Sequence, residues 1–121
     1  MQFVMDIHSK NRELFGHFFE EVLDYHSRIE GDHLLMSHEK LPGFRLNLTN
    51  DSGGQYLSEK LVVQFESKDA LQEAINRANF FHYRNDQMIE KDLVMEYSHN
   101  GPHAEFVDLD GRYWRFEAPL S

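Results

Sequence analysis

The residues of this sequence that could do chemistry alternate with apolar residues in short β-rich segments. Successive side chains of a strand point to opposite faces, so the alternation predicts one polar face for each strand. The residues expected on these faces are Asp6, His8, Arg45, Asn47, Gln64, Glu105, Tyr113 and Arg115. On a concave surface such groups orient a small ligand through charge-assisted hydrogen bonds. An alternative stays open, in which the charges are solvated and pair with one another, as Arg45 with Glu105 or Asp6 with Arg115.

The same alternation assigns an apolar face to each segment. In the first segment Phe3, Met5 and Ile7 should contact a helix. Near the C-terminus Trp114 and Phe116 alternate with the polar residues, and they should add a large apolar area to the core.

Eight histidines are spread along the chain, and none forms the i, i+4 helical pair that is typical of a zinc site. They are His8, His17, His26, His33, His38, His82, His99 and His103. The sequence also lacks a Gly-x-Ser-x-Gly nucleophile motif and a phosphate-binding glycine loop. Acid–base chemistry without a metal would fall to Asp6, His8 or Glu105. We therefore expect neither a cofactor nor a bound metal.

The charge balance and the composition exclude several classes of function. The 121 residues include 12 Lys and Arg against 21 Asp and Glu, a formal net charge of −9 with neutral histidines. Binding of nucleic acid or of an anionic membrane needs clustered Lys and Arg, so neither partner is expected. There is no cysteine, no apolar run of about 18 residues and no apolar leader, because Asp6 interrupts the first stretch. The default expectation is a cytoplasmic protein.

The two halves of the chain resemble each other. The segment 3–11 superposes on 61–69, 58 residues later, and both segments end in Ser-Lys followed by Asn or Asp. Ser, Asn and Asp are helix-capping residue types, and apolar residues at helical spacing follow them. The apolar helix positions are Leu14, Phe15, Phe18, Phe19, Val22 and Leu23 in the first half and Ala70, Leu71, Ala74, Ile75 and Ala78 in the second. Each half therefore begins with a strand and a helix.

The rest of each half has the pattern of β-strands separated by turn-forming residues. The predicted strands are 25–30, 33–38 and 43–48 in the first half and 82–88, 93–98, 103–107 and 113–118 in the second. The polar segment 49–60 is predicted to link the halves. We expect a single α+β domain over residues 1–121, with module one at about 1–50 and module two at about 61–121.

The C-terminal segment and one helix are similar to those of the vicinal oxygen chelate superfamily. They are Phe106-Val107-Asp108-Leu109-Asp110-Gly111-Arg112-Tyr113-Trp114-Arg115-Phe116 and Phe18-Phe19-Glu20-Glu21-Val22-Leu23. The superfamily includes glyoxalases, extradiol dioxygenases, fosfomycin-modifying enzymes and bleomycin-binding resistance proteins. Leu109 stands where the family usually has proline. The resemblance implies two βαβββ modules that form an open, curled mixed sheet around a cleft, usually completed by dimerisation.

The resemblance also implies where a metal would bind, and this sequence departs from the family there. Metal-using members place a ligand on the first strand of each module and a Glu four residues after the Gly of Asp-Pro-Asp-Gly. The corresponding residues here are Val4, or Gln2 with a gap, then Val62, or Leu61 with a shift, and Arg115. Valine has no donor atom, and a guanidinium repels a divalent ion. We expect no metal, with one alternative register in which His8, Glu105 and Glu117 supply the ligands.

Three functions remain open at this point. The first is a glyoxalase- or bleomycin-resistance-like protein, metal-independent, that holds a small ligand in the cleft of a homodimer. The second is a metal-dependent lyase, isomerase or dioxygenase of the same superfamily, and the third is a domain whose dimer interface is its whole function. A dimer is expected because curled sheets leave open edges and exposed apolar surface. The excess of acid, with Asp6, Glu66 and Glu105 on the polar faces, predicts that a charged ligand is a cation.

Overall fold

The computed structural model describes residues 1–50 and 60–120 of the chain. They form two compact units, one in each of these ranges, which we name module one and module two. Most of the predicted linker 49–60 lies outside the described residues. Its two ends do not, because Thr49 and Asn50 belong to the last strand of module one and Lys60 begins the first strand of module two.

Module one is a four-stranded mixed sheet with one helix. Its elements are β1 (Phe3–Ser9), α1 (Arg12–Leu23), β2 (His26–Glu30), β3 (His33–Ser37) and β4 (Phe44–Asn50). The strand order is β1-β4-β3-β2, in which β1 runs parallel to β4 and the other neighbours are antiparallel.

Module two repeats this plan. Its elements are β5 (Lys60–Gln64), α2 (Lys68–Arg84), β6 (Glu96–Ser98), β7 (Gly101–Val107) and β8 (Tyr113–Glu117). The order is β5-β8-β7-β6, with β5 parallel to β8. The prediction of an α+β fold made of two βαβββ modules with open mixed sheets is confirmed.

The helix caps define how the two modules correspond. The Asn11 side chain accepts a hydrogen bond from the Leu14 N–H at 3.1 Å, and the Ser67 hydroxyl accepts one from the Ala70 N–H at 3.1 Å. The caps are therefore 56 residues apart, two fewer than the spacing of the Ser-Lys identities, because Ser9 ends β1 instead of capping α1. A slip of two residues leaves every strand face unchanged but alters which positions of the two modules are equivalent.

The apolar side of each helix meets the apolar face of its own sheet. In module one the largest fully buried side chains include Phe15 and Phe18 of α1 and Leu48 of β4. In module two the aromatic layer of Trp114 and Phe116 is buried. Burial of these groups supplies most of the driving force that shapes each sheet.

A buried ionic network closes the turn between β7 and β8. The Asp108 carboxylate accepts hydrogen bonds from the N–H groups of Asp110 and Arg112, from the Arg112 guanidinium at 3.2 Å and from Trp114 Nε1 at 2.8 Å. Arg112 also pairs with Asp110 at 3.2 Å. Gly111 has a φ of 83°, a conformation that favours glycine. The turn motif that carries the family resemblance is therefore a structural unit whose polar groups satisfy each other.

Two of the predicted strands of module two are corrected by the structure. The segment 82–88 is not a strand, because α2 continues to Arg84 and no strand follows it before β6. Phe81 extends the buried helical face past Ala74 and Ala78, so tertiary contacts overrode the β propensity of the aromatic residues. The strand predicted at 93–98 is shortened to Glu96–Ser98, since Leu93 is instead tied to α2 through two hydrogen bonds with the Asn79 side chain, at 2.6 and 3.0 Å.

The apolar face predicted for β1 is also only partly right. Ile7 is 2% exposed, but Phe3 is 67% and Met5 47% exposed. β1 is an edge strand with β4 as its one neighbour in the sheet, so its first half has little to cover it.

Among the described residues no helix is long and apolar enough to cross a membrane.

Candidate functional site

The polar face of module two is formed by side chains that alternate with the buried aromatic layer. Register places Arg115 on β8 between Val62 on β5 and Glu105 on β7. We refer to each set of side chains that lie side by side across the strands as a rung. The next rung on the same face, two residues further along β8, places Glu117 beside Gln64.

Arg115 is the centre of this face. Its Nε donates to Glu117 Oε1 at 2.8 Å, and its guanidinium also donates to Glu105 Oε1 at 2.7 Å. The remaining Glu117 oxygen accepts from Gln64 Nε2 at 3.0 Å. One cation thus pairs with two carboxylates, and the network connects three strands.

The contacts of these groups shift their pKa values in the expected directions. Hydrogen bonds from Tyr113 and from Arg115 lower the pKa of Glu105 below 4.5. Hydrogen bonds from Gln64 and from Arg115 lower the pKa of Glu117 in the same way. Burial and the neighbouring Glu105 raise the pKa of Tyr113 above 10. At neutral pH both carboxylates are therefore ionised, and the Tyr113 phenol keeps its proton.

The polar face of module one has a different set of partners. On the rung that pairs β1 with β4, Asn47 Nδ2 donates to Asp6 Oδ1 at 3.1 Å. On the next rung His8 Nδ1 forms a hydrogen bond with Thr49 Oγ1. Asp6 and His8 are exposed, whereas Asn47 is 6% exposed.

Asn47 carries an unsatisfied acceptor. Within the part of the chain that the structure describes, its Oδ1 is buried and has no hydrogen-bond partner. A carboxylate only accepts hydrogen bonds, so the amino branch of the amide must face Asp6 and the carbonyl branch is turned away. The cross-strand neighbour of Asn47 on β3 is Leu35, which has no side-chain donor.

Arg45 is held by backbone carbonyls of its own module. Its guanidinium donates to the backbone carbonyls of Phe44 at 3.1 Å and Pro42 at 3.4 Å. It makes no ion pair within the described residues. Within module two Glu105 pairs with Arg115, its direct neighbour on the adjacent strand. The pairings of Arg45 with Glu105 and of Asp6 with Arg115 would join the two modules, and they stay predictions.

The eight predicted site residues fall into two groups that each share a strand face, while ligand binding by them stays a prediction. Asp6, His8, Arg45 and Asn47 share the polar face of module one, and Gln64, Glu105, Tyr113 and Arg115 share that of module two. Glu117, which strand alternation puts on the same face but which is not among the eight predicted site residues, completes the Arg115 network. Its position two residues after Arg115 on the same strand was the signal for it.

His103 is the histidine most closely connected to the polar face of module two. It is 8% exposed, its Nε2 lies 3.7 Å from Glu96 Oε2 on β6, and its strand register places it opposite Glu117 on β8. No group of three or more His, Asp or Glu side chains in residues 1–50 and 60–120 is arranged to hold a metal ion.

The donor groups of both faces do not fit the metal centre that the fold family implies. Two positions predicted to replace metal ligands, Val4 and Val62, lie on the polar faces without a donor atom. In the alternative register, two of the three ligands, Glu105 and Glu117, already bind the Arg115 guanidinium, so a permanent cation would stand beside the metal.

An open depression of about 490 Å³ lies on the opposite side of module one, between α1 and the β2–β3 hairpin. Three of its polar side chains bind one another, since Glu20 accepts from Ser27 at 3.2 Å and lies 3.4 Å from His17. The exposed Ile29 forms part of its lining. Neither of the two buried side-chain atoms that lack a hydrogen-bond partner among the described residues belongs to its lining.

Comparison with known proteins gives a clear result only at the level of structure. No family model and no curated protein matches the sequence. Solved structures match nearly the whole chain. A glyoxylase/bleomycin resistance protein/dioxygenase domain from Frankia sp. EAN1pec is 16% identical, has a TM-score of 0.69, and the match covers 100% of this chain and 92% of that one.

Two further structures give the same picture. The fosfomycin resistance protein FosX from Mesorhizobium loti is 9% identical with a TM-score of 0.67, over 99% of this chain and 92% of that one. A lactoylglutathione lyase from Agrobacterium tumefaciens is 11% identical with a TM-score of 0.63, over 98% and 92%. Identities this low establish a likeness of fold. The paired βαβββ modules and these matches together show that the chain has the fold of the vicinal oxygen chelate superfamily.

Proposed function

We propose that the protein binds a small organic ligand on the polar faces of its module sheets, without a metal, as a glyoxalase- or bleomycin-resistance-like protein. The observation that carries the proposal is the rung of Asp6 and Asn47, where an exposed carboxylate adjoins a buried amide oxygen without a partner. Small-molecule sites are typically built from a few well-placed polar groups on a largely apolar framework. The named activities of the similar structures, resistance proteins and a lyase acting on small molecules, support the same class.

A fragment screen by NMR tests this function. The ¹⁵N-labelled protein is titrated with a library that contains cationic, neutral and anionic fragments in equal numbers. Binding to the polar faces predicts amide shift changes on β1, β4 and β8, and those of Asp6 and Asn47 should be among the largest. Shifts confined to α1 and the β2–β3 hairpin, around the depression there, would contradict the proposal.

We propose also that the protein acts as a homodimer. Phe3, Val4 and Met5 are 67%, 57% and 47% exposed on the edge strand β1, and such apolar edges favour association. Light scattering at micromolar concentration should give about twice the chain mass of 14.4 kDa. A mass near that of the single chain would remove this part of the proposal.

A metal-dependent enzyme is the second candidate. Its support is the proximity of carboxylates and a histidine on module two, where His103 has Glu96 and Glu117 as cross-strand neighbours. Arg115 argues against it, because its guanidinium already pairs with both Glu105 and Glu117. Elemental analysis after dialysis decides between the two candidates. About one zinc, nickel, manganese or iron per chain, lost in the His8→Ala or Glu117→Ala variant, would overturn the metal-free proposal.

A further inference from the structure

The rung of Asp6 and Asn47 presents more hydrogen-bond acceptors than donors. Among the described residues, Asp6 accepts one hydrogen bond, from the neutral Asn47 amide, through Oδ1. Asn47 Oδ1 is buried, and no partner for it occurs in residues 1–50 and 60–120. An unpaired buried acceptor costs free energy, and a donor that reaches it recovers that cost.

The acids of module two do not share this property. Glu105 and Glu117 each receive a hydrogen bond from Arg115, and Glu117 receives another from Gln64. A cationic ligand would have to compete with a guanidinium that belongs to the protein. The two modules therefore differ in their readiness to accept a further positive charge.

We infer that the Asp6–Asn47 rung binds a protonated amine, or a similar cationic N–H donor, of the ligand. This inference rests on the proposed function and names the class of its ligand. One N–H of the cation would pair with the exposed Asp6 carboxylate and a second with the Asn47 carbonyl. Because the Asn47 oxygen is covered, Asp6 is the point of first contact, and small side-chain movements accompany binding.

The surrounding charges agree with this assignment. Arg45 lies two residues before Asn47 on the same face, but its guanidinium is held by the carbonyls of residues 42 and 44, towards the start of β4. No cation within the described residues pairs with Asp6. The formal net charge of −9 adds a general attraction for cations.

Three matched probes test the inference: 2-phenylethylamine, 2-phenylethanol and phenylacetate. They share a phenyl group and differ in having a cationic, neutral or anionic end. In NMR titrations at neutral pH the amine should shift the backbone amides of Asp6 and Asn47 and the Asn47 side-chain NH₂ resonances. It should bind about tenfold more tightly than the alcohol, because a charge-assisted hydrogen bond replaces a neutral one.

The Asp6→Asn variant is the main test, since it removes the charge and keeps the side-chain shape and an acceptor for the Asn47 amide. It should abolish the tenfold preference for the amine. The control is Asp32→Asn, which removes an exposed negative charge from the β2–β3 turn of the same module and should keep the preference. A preserved preference in Asp6→Asn would overturn the inference, whatever the thermal stability of the variant.

The remaining outcomes separate this inference from the proposed function. Tighter binding of phenylacetate, or amine-induced shifts confined to module two, would overturn the inference alone. If the fragment screen finds no ligand on either polar face, the proposed function fails and the inference fails with it.

Discussion

The middle rungs of the two modules use the same backbone register to opposite effect. With the helix caps aligned, Asp6-Asn47-Leu35 in module one is equivalent to Val62-Arg115-Glu105 in module two. Module two has its acid on the β7 side and a guanidinium between the strands, so its charges neutralise each other. Module one has its acid on the edge strand and an amide in the middle, which leaves a carboxylate and a carbonyl short of donors. A sheet position therefore becomes a structural bridge or a candidate binding site according to its cross-strand neighbours.

The turns that precede β4 and β8 also differ in how fully their polar groups bond to one another. In module two the turn is closed by the buried Asp108 network. In module one the corresponding segment is held by His38, whose carbonyl accepts from Leu41 N–H at 2.9 Å and whose Nδ1 accepts from Lys40 N–H at 3.1 Å. Module two is thus more completely cross-linked by its polar groups.

The largest predicted effect tests this difference between the turns. Asp108→Ala removes one of the two carboxylates that pair with the buried Arg112, and it leaves Trp114 Nε1 without its acceptor. It should therefore lower the unfolding free energy by about 3–5 kcal/mol. His38→Ala in the equivalent segment removes one exposed hydrogen bond and should cost about 1 kcal/mol or less. Urea unfolding measures both. Equal losses would show that the two turns contribute alike.

The second prediction concerns the charge balance of module two. Arg115→Met should raise the pKa of both Glu105 and Glu117, since it removes a donor from each carboxylate. Tyr113→Phe should raise the pKa of Glu105 alone. Arg45→Met, the module-one control, should change neither value. Carboxyl ¹³C NMR titrations give these pKa values directly, and a change at Glu117 in the Tyr113→Phe variant would disagree with the network.

The third prediction is the pH dependence that follows from the lowered pKa values. Glu105 and Glu117 bind protons less readily in the folded chain than in the unfolded chain. Their contribution to the free energy of unfolding is therefore complete above the ordinary pKa of 4.5, and it is lost as the pH falls through the lower pKa values of the folded chain. Both side chains are partly exposed, so solvent screening limits the effect to at most about 1 kcal/mol.

A double variant, Glu105→Gln with Glu117→Gln, isolates this contribution. Its unfolding free energy should fall less steeply than that of the unmodified protein between about pH 6 and pH 3. Identical slopes would indicate that the two carboxylates contribute nothing to acid sensitivity.

The smallest predicted effect tests the alignment of the two modules by their helix caps, on which the comparison of the rungs depends. Asn11→Ala and Ser67→Ala each remove a helix cap and should each cost about 1 kcal/mol. Asp69→Ala, at the position that the 58-residue spacing would pair with Asn11, should cost less, about 0.5 kcal/mol, because Asp69 lies inside the first turn. Thermal unfolding measures all three. A larger loss in Asp69→Ala than in Ser67→Ala would argue for the other alignment.

The sequence by itself determined the fold class and the faces of the strands. Alternation is a property of neighbouring residues, so Asp6, Asn47, Gln64 and Arg115 could be placed on polar faces without knowledge of the sheet. Capping residues and the Asp-Gly turn are equally local patterns, and they predicted the helices and the β7–β8 hairpin.

Only the tertiary structure decided which groups meet and where the elements end. The end of α2 at Arg84 depends on the burial of Phe81, which no local pattern shows. The partners of Arg115 and the unsatisfied oxygen of Asn47 depend on strand register, and register is set by contacts between residues distant in the chain. Alternation repeats every two residues, so a slip of two is invisible to it, and the geometry of the helix caps is needed to align the two modules.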